Sequence, residues 1–130
     1  MENKVRILVV EDEIAILEMV QDALDEAGFA VTAANDVQTA TKMLDDQGAE
    51  FRGLITDVNL GSSQTTGWDI AKQAREINDQ LPIVYMTGGN AHEWSINGVP
   101  NSVLIVKPFA SAQIVTAISQ LINLGSTPTA

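Results

Sequence analysis

Apolar residues fall along this chain in two alternating rhythms. Val5 to Val10, Gly53 to Thr56, Ile83 to Met86 and Val103 to Val106 are short runs rich in β-branched side chains. Runs of that length and kind mark strands buried on both faces of a parallel sheet. Between them the apolar positions recur at helical spacing. Ile14, Leu17, Val20 and Leu24 line a helix over residues 13–27, and Gly28 stops it. Val37, Ala40, Met43 and Leu44 line a second helix, capped by Asn35 or Asp36 and ending near Gly48. Trp68, Ile70, Ala71, Ala74 and Ile77 are available for burial on a third, from about Gly67 to Asn78. Ile114, Ile118, Leu121 and Ile122 serve a last helix from Ser111 to Leu124. Ala30 to Ala34 is a weaker strand, small and half polar, suited to a sheet edge. Residues 58–66 read as a loop. Gly88, Gly89, Asn90, Gly98 and Pro100 break residues 88–102, leaving room for at most a short helix around Ala91 to Ile96.

Five strands and five helices in strict alternation, with connections too short to reverse neighbouring strands, predict a parallel sheet wrapped on both faces by helices. At 130 residues this is one domain. It is expected to span residues 1–124, with a loose tail at 125–130. Composition removes several function classes. With no cysteine and a single histidine, His92, disulfides, thiolate metal sites and a histidine-rich zinc site drop out. No apolar run approaches the ~20 residues of a membrane helix, and the first residues, Met-Glu-Asn-Lys, lack the apolar stretch of a signal peptide. The expectation is a cytoplasmic protein without membrane contact. The net charge of −10 argues against binding a nucleic-acid backbone. Twelve of the seventeen acids lie in residues 1–50, and after Asp79 the charged side chains are Glu93 and Lys107 alone. Lys107, at the end of an apolar run, is therefore no member of a solvated charged surface. Burying it without a partner would be costly.

The strand ends carry the chemistry. The first run ends in Glu11, Asp12 and Glu13, the third in Asp57, the fourth in Thr87 and the fifth in Lys107. Ligands of open α/β sheets bind outside the carboxyl ends of the strands. Glu11 and Asp12 repel one another, a cost that a hard divalent cation such as Mg²⁺ relieves. As acids at a helix start they are also favoured by the helix macrodipole without any metal. Asp57, followed by a long loop, is poorly placed as a helix cap. It can bind a cation or take a phosphoryl group as an acyl-phosphate. Mg²⁺, Lys107 and the Thr87 hydroxyl would neutralise the oxygens of a transferring phosphoryl group, and Gly88 leaves room for phosphate to reach the backbone. Lys107 taken alone also suits an ordinary strand-to-helix turn, with Pro108 fixing the exit and a cis bond open to it.

The set Glu11-Asp12, Asp57, Thr87-Gly88 and Lys107-Pro108-Phe109 resembles that of the receiver domains of two-component response regulators, over roughly residues 4–124. The resemblance implies a flavodoxin-like, doubly wound five-stranded sheet of order 2-1-3-4-5. It implies that Asp57 accepts a phosphoryl group from the phosphohistidine of a sensor histidine kinase or a histidine phosphotransfer protein. Asp12 and Asp57 would bind Mg²⁺ directly, Glu11 through water, and Asn59 through its backbone carbonyl. Thr87 and Lys107 would bind the phosphoryl oxygens. Glycine at 89 would leave attacking water unobstructed, which implies a short-lived phosphate. The chain would be a regulator of its own phosphorylation state and not an enzyme on other substrates, with output by protein docking or phosphate shuttling to an unidentified target.

The chain departs from the family pattern in three places. Many receivers carry an aromatic switch residue three positions before the lysine, where this chain has Leu104. The loop 58–66 lacks the usual proline and is longer by about two residues than the family pattern to which it is compared. The stretch 88–102 is short and poorly helical. Two rival readings are a haloacid-dehalogenase-like phosphatase and a receiver fold used for interaction without phosphorylation. The first usually places a second aspartate two residues on, where this chain has Asn59; the acidic pair and lysine argue against the second. A flavin or nucleotide binder would need a glycine-rich loop after the first strand. Trp68 is expected in the core, Trp94 either partly buried or on a partner, and His92 at the surface. The last helix has no charged residue; its polar face of Ser111, Thr116, Ser119, Gln120 and Asn123 suits either plain solubility or an interface, with a homodimer as one use.

Overall fold

The computed structural model describes residues 4–61, 63–89 and 91–126. Five strands, β1 (Arg6–Val10), β2 (Ala30–Ala34), β3 (Gly53–Asp57), β4 (Ile83–Thr87) and β5 (Ser102–Val106), alternate with helices α1 (Ile14–Glu26), α2 (Val37–Gln47), α3 (Gly67–Ile77), α4 (Trp94–Asn97) and α5 (Ser111–Ser126). All neighbouring strands pair in parallel, in the order β2-β1-β3-β4-β5. This is the flavodoxin-like arrangement, with β3 at the centre. The α4 region is a single turn preceded by a tight helical turn at Ala91–Glu93, as the breakers in that stretch predict.

Strand residues alternate between two cores. Leu8, Val10, Leu54, Ile83 and Tyr85 face α2 and α3 with Leu44, Phe51, Trp68 and Ile70. Ile7, Val9, Ile55, Val84 and Met86 face α1 and α5 with Val20, Leu24, Ile114 and Ile118. Every residue of β3 and β4 is buried, which is why these runs show no polar alternation. Full burial of each such aliphatic side chain is worth about 1.5–3 kcal/mol. The helix stripes end where the sheet ends. Ile14, in the first turn of α1 beyond the strand tips, is 51 % exposed, and Ile77, at the far end of α3, is 41 % exposed against Gly48. Both were expected in the core; at an element's end, periodicity no longer reports what lies opposite.

Caps fix the helix boundaries. Asp36, and not Asn35, caps α2 by accepting a 2.7 Å bond from the Thr39 N–H. Gly28, at φ +97°, ends α1 while the Phe29 N–H returns to the Leu24 carbonyl. Thr66 and Asp69 form a reciprocal capping box at the start of α3, legible in sequence as Thr-x-x-Asp. The backbone of α5 runs to Ser126, two residues past the expected boundary at Leu124; the remainder of the expected tail, 127–130, lies outside the described residues. Arg75 ties the end of α3 to the segment leading into β5. Its guanidinium donates to the carbonyls of Leu81 at 2.8 Å, Pro100 at 2.7 Å and Asn101 at 3.4 Å. Arg75→Ala is expected to cost about 1–3 kcal/mol in urea denaturation, with Lys at 75 restoring little, because an ammonium lacks the planar fork that reaches three carbonyls.

Candidate functional site at the carboxyl edge

The carboxyl ends of β1, β3, β4 and β5 bring their acids, a hydroxyl and an ammonium to one edge of the sheet. Glu11 follows β1 directly. Its N–H bonds the Ala34 carbonyl at 3.1 Å and its side chain is fully buried. Its Oε2 accepts the Glu13 N–H at 3.1 Å, tying the carboxylate to the start of α1. Its Oε1 lies 2.8 Å from the Lys107 ammonium and accepts no hydrogen bond from a neutral donor among the described residues. Asp57, the last residue of β3, is 5 % exposed, with Oδ2 3.4 Å from the same ammonium. Glu13, at the rim, reaches Lys107 at 3.9 Å. Thr87 is buried at the end of β4, and its carbonyl accepts the Lys107 N–H at 2.7 Å, so threonine and lysine leave the sheet side by side. The Lys107–Pro108 peptide bond is cis.

Glu11, Asp12 and Asp57 each present a carboxylate oxygen within 4.8 Å of the other two. The cleft encloses about 360 Å³; Asp12, Asp57, Asn59 and Lys107 line it, together with Gly61, Gly88 and Gly89. Position 61, at φ +63°, brings the loop backbone close to the Asp12 carboxylate. At Gly88 and Gly89 a Cβ would meet nothing within 4 Å, so this side of the cleft is open.

The electrostatics follow from crowding three acids around one ammonium. Burial, then the charge of Glu11, pushes the Asp57 carboxyl up to about 7, against the pull of Lys107. Burial would lower the Lys107 ammonium, but the hydrogen bond to Glu11 and the charges of Asp57, Glu11 and Glu13 hold it above its ordinary value. A lone ammonium leaves the cluster short of positive charge. A hard divalent cation among hard oxygens is what such a donor set accommodates, so the residues fit Mg²⁺.

All the residues singled out at the strand ends, Glu11, Asp12, Asp57, Thr87, Lys107 and the loop residue Asn59, are thus brought to one edge. Gly67 was missed. Its N–H bonds the Val58 carbonyl at 2.8 Å, and a Cβ there would overlap the Asp57 carbonyl oxygen. A glycine in the first turn of a helix, ten residues after the aspartate, was the available signal of close backbone approach. Trp68 is buried, His92 is exposed, and Trp94 is 38 % exposed with its indole N–H on the Ser102 hydroxyl at 3.0 Å.

Comparison with known proteins decides the family. The model of the response regulator receiver domain matches residues 7–119. The chain belongs to that family. A response regulator receiver protein from Sinorhizobium medicae superposes with a TM-score of 0.88 at 43% identity, covering 93% of this chain and 96% of that one. The Vibrio cholerae chemotaxis protein CheY4 superposes at 0.77 with 27% identity over 92% and 99% of the two chains. Among curated proteins, the probable transcriptional regulatory protein SilR of Salmonella typhimurium is 31% identical over 94% of this chain and 53% of its own length. The transcriptional regulatory protein CusR of Escherichia coli is 28% identical over 93% and 52%. The chain spans about half the length of the curated relatives it matches. Receiver domains are signalling domains that interact with histidine kinases or phosphotransfer proteins, and the family typically binds Mg²⁺ at acidic residues. Among the described residues no helix is long and apolar enough to cross a membrane.

Proposed function

We propose that this receiver takes a phosphoryl group onto Asp57 from the phosphohistidine of a sensor histidine kinase or histidine phosphotransfer protein. The observation that carries the reading is the convergence of the Asp57 carboxylate, the Lys107 ammonium and a second carboxylate, Glu11, with Asp12 as a third within coordinating reach. A carboxylate oxygen of Asp57 attacks phosphorus, the phosphorus–nitrogen bond breaks, and the imidazole leaves with the electron pair. Asp12 and Asp57 would hold Mg²⁺ directly, Glu11 through water, and Asn59 through its carbonyl. When bound, the ion supplies neutralisation of the equatorial phosphoryl oxygens. Lys107 moves from the Glu11 and Asp57 carboxylates to a phosphoryl oxygen, and the Thr87 hydroxyl donates to another. The open side at Gly89 supports access of water to the acyl-phosphate and a short lifetime.

Output follows by docking or by passing the phosphoryl group on. The uncharged α5 is a candidate homodimer face. With its net charge of −10 the receiver itself is a poor binder of nucleic acid. The phosphatase alternative lacks its general acid, since Asn59 stands where a second aspartate is needed.

Beryllofluoride with Mg²⁺, which mimics the acyl-phosphate, is expected to bind the wild-type chain and not Asp57→Asn, read as a bound fluorine NMR resonance. Equal binding by both proteins would sink the assignment. Lys107→Ala is expected to leave Mg²⁺ affinity within about threefold while weakening the response to phosphorylation; complete loss of metal binding in a titration would contradict the role given to the ammonium.

A further inference from the structure

The aromatic side chain missing at Leu104 stands one strand inward. Tyr85 is the register partner of Leu104 across β4 and β5, so the two point to the same face of the sheet, and Tyr85 lies two residues before Thr87 on β4. It is fully buried. Its hydroxyl oxygen accepts the Val99 N–H at 3.1 Å. The Val99 carbonyl in turn accepts the Ser102 hydroxyl at 2.6 Å, and the Ser102 oxygen accepts the Trp94 indole N–H at 3.0 Å. The indole rests on Gly98, where a Cβ would overlap it. Because α4 is one turn long, this clasp of side chains does what a helical ladder does elsewhere, and holds residues 94–102 against the sheet. On its other side the Tyr85 ring tilts against Trp68, with centroids 4.5 Å apart. Trp68 follows Gly67, whose backbone is packed directly on the Asp57 carbonyl.

We propose that Tyr85 is the switch residue of this receiver. It touches Trp68, whose neighbour Gly67 packs on the backbone of Asp57, and it holds the N–H of Val99, which anchors the Trp94 segment. A shift of Asp57 and Thr87 on phosphorylation therefore reaches Trp94 through Tyr85, while Leu104 serves only to pack. The inference rests on the phosphoacceptor reading above. A ligand shifts such an equilibrium only through contacts that differ between the two states. Here the differing contacts are the Tyr85–Val99 and Trp94–Ser102 hydrogen bonds.

The test uses the chain with fluorotryptophan at its two tryptophans, so that one fluorine spectrum reports bound beryllofluoride, Trp68 and Trp94 together. With Mg²⁺ and beryllofluoride, the wild-type chain is expected to show the bound resonance and a shifted Trp94 signal. Tyr85→Phe and Ser102→Ala keep the bound resonance and lose most of the Trp94 shift, whereas Leu104→Ala keeps both. An unchanged Trp94 shift in Tyr85→Phe and Ser102→Ala, or its loss in Leu104→Ala alone, overturns the inference. A bound resonance without a Trp94 shift in the wild-type chain overturns the switch and leaves the phosphoacceptor reading standing. No bound resonance in the wild-type chain overturns both.

Discussion

Asp57→Asn is expected to abolish acyl-phosphate formation and, at the same time, to stabilise the metal-free protein above neutral pH. The first effect is chemical: an amide oxygen does not replace a carboxylate as the nucleophile, and no neighbouring acid sits where Asp57 does. The second follows from linkage. The Asp57 carboxyl titrates at about 7 in the folded chain because of burial and the charge of Glu11, against ~3.9 for an unperturbed aspartate. Below about pH 4 it is protonated in both states and contributes nothing. As pH rises toward 7 the unfolded chain releases a proton that the folded chain still holds, so stability falls, and above 7 the loss is complete. Asparagine carries no such loss. The variant should match wild type near pH 4 and exceed it by about 1–3 kcal/mol near pH 8 without Mg²⁺. The figure lies below the full linkage value because the cleft is open to water at Gly88 and Gly89, and solvent screens part of the repulsion. Urea denaturation at the two pH values checks it; a gap independent of pH would show that Asp57 is not the strained carboxyl. Millimolar Mg²⁺ should narrow the gap, since the cation stabilises only the chain that binds it well.

Gly67→Ala is expected to damage stability and phosphorylation together. The added methyl group would overlap the Asp57 carbonyl oxygen and crowd the Val58 backbone, and neither can swing aside as a flexible side chain would. Forced overpacking of this kind typically costs 1–3 kcal/mol, that is about 1–3 kcal/mol of unfolding free energy here. The atoms displaced belong to the phosphoacceptor itself, so uptake of phosphate should slow at least about tenfold even where the protein remains folded, since small misplacements at a reacting centre are costly. Gly88→Ala and Gly89→Ala are the controls, because nothing lies within 4 Å of a Cβ at either position. They should unfold like wild type. If Gly67→Ala is phosphorylated at the wild-type rate, the contact between α3 and the Asp57 backbone has no bearing on the chemistry.

Much of this architecture is written in local pattern. Three of the continuous apolar runs could be read as buried strands because both faces of β1, β3 and β4 are covered, and the small, half-polar Ala30–Ala34 as an edge because it is one. The run Val103–Val106 reads as fully buried too, but β5 is the opposite edge of the sheet and Val106 is 50 % exposed. The site was legible for the same reason: in a parallel sheet the residues at the carboxyl end of each strand, its last or the next, land on one edge, so Glu11, Asp57, Thr87 and Lys107 are brought to that edge by topology alone. What pattern could not carry is contact between distant segments. That Lys107 finds its partner in a fully buried Glu11, that Gly67 is pressed against Asp57, and that the Tyr85 hydroxyl reaches across to Val99 all depend on how loops close over the sheet. Ile14 and Ile77 show the converse failure, in which a helical stripe continues past the surface it was meant to cover.

The most direct trial of the central claim is the covalent state of residue 57. Folded protein incubated with acetyl phosphate and Mg²⁺ should gain the mass of one phosphoryl group, lose it to hydroxylamine, and carry the resulting mark at Asp57. Chelation of the metal should suppress the gain. A phosphoryl group found elsewhere in the chain, or none at all under conditions where Mg²⁺ is shown to bind, would contradict the reading of this cleft as a phosphoacceptor site.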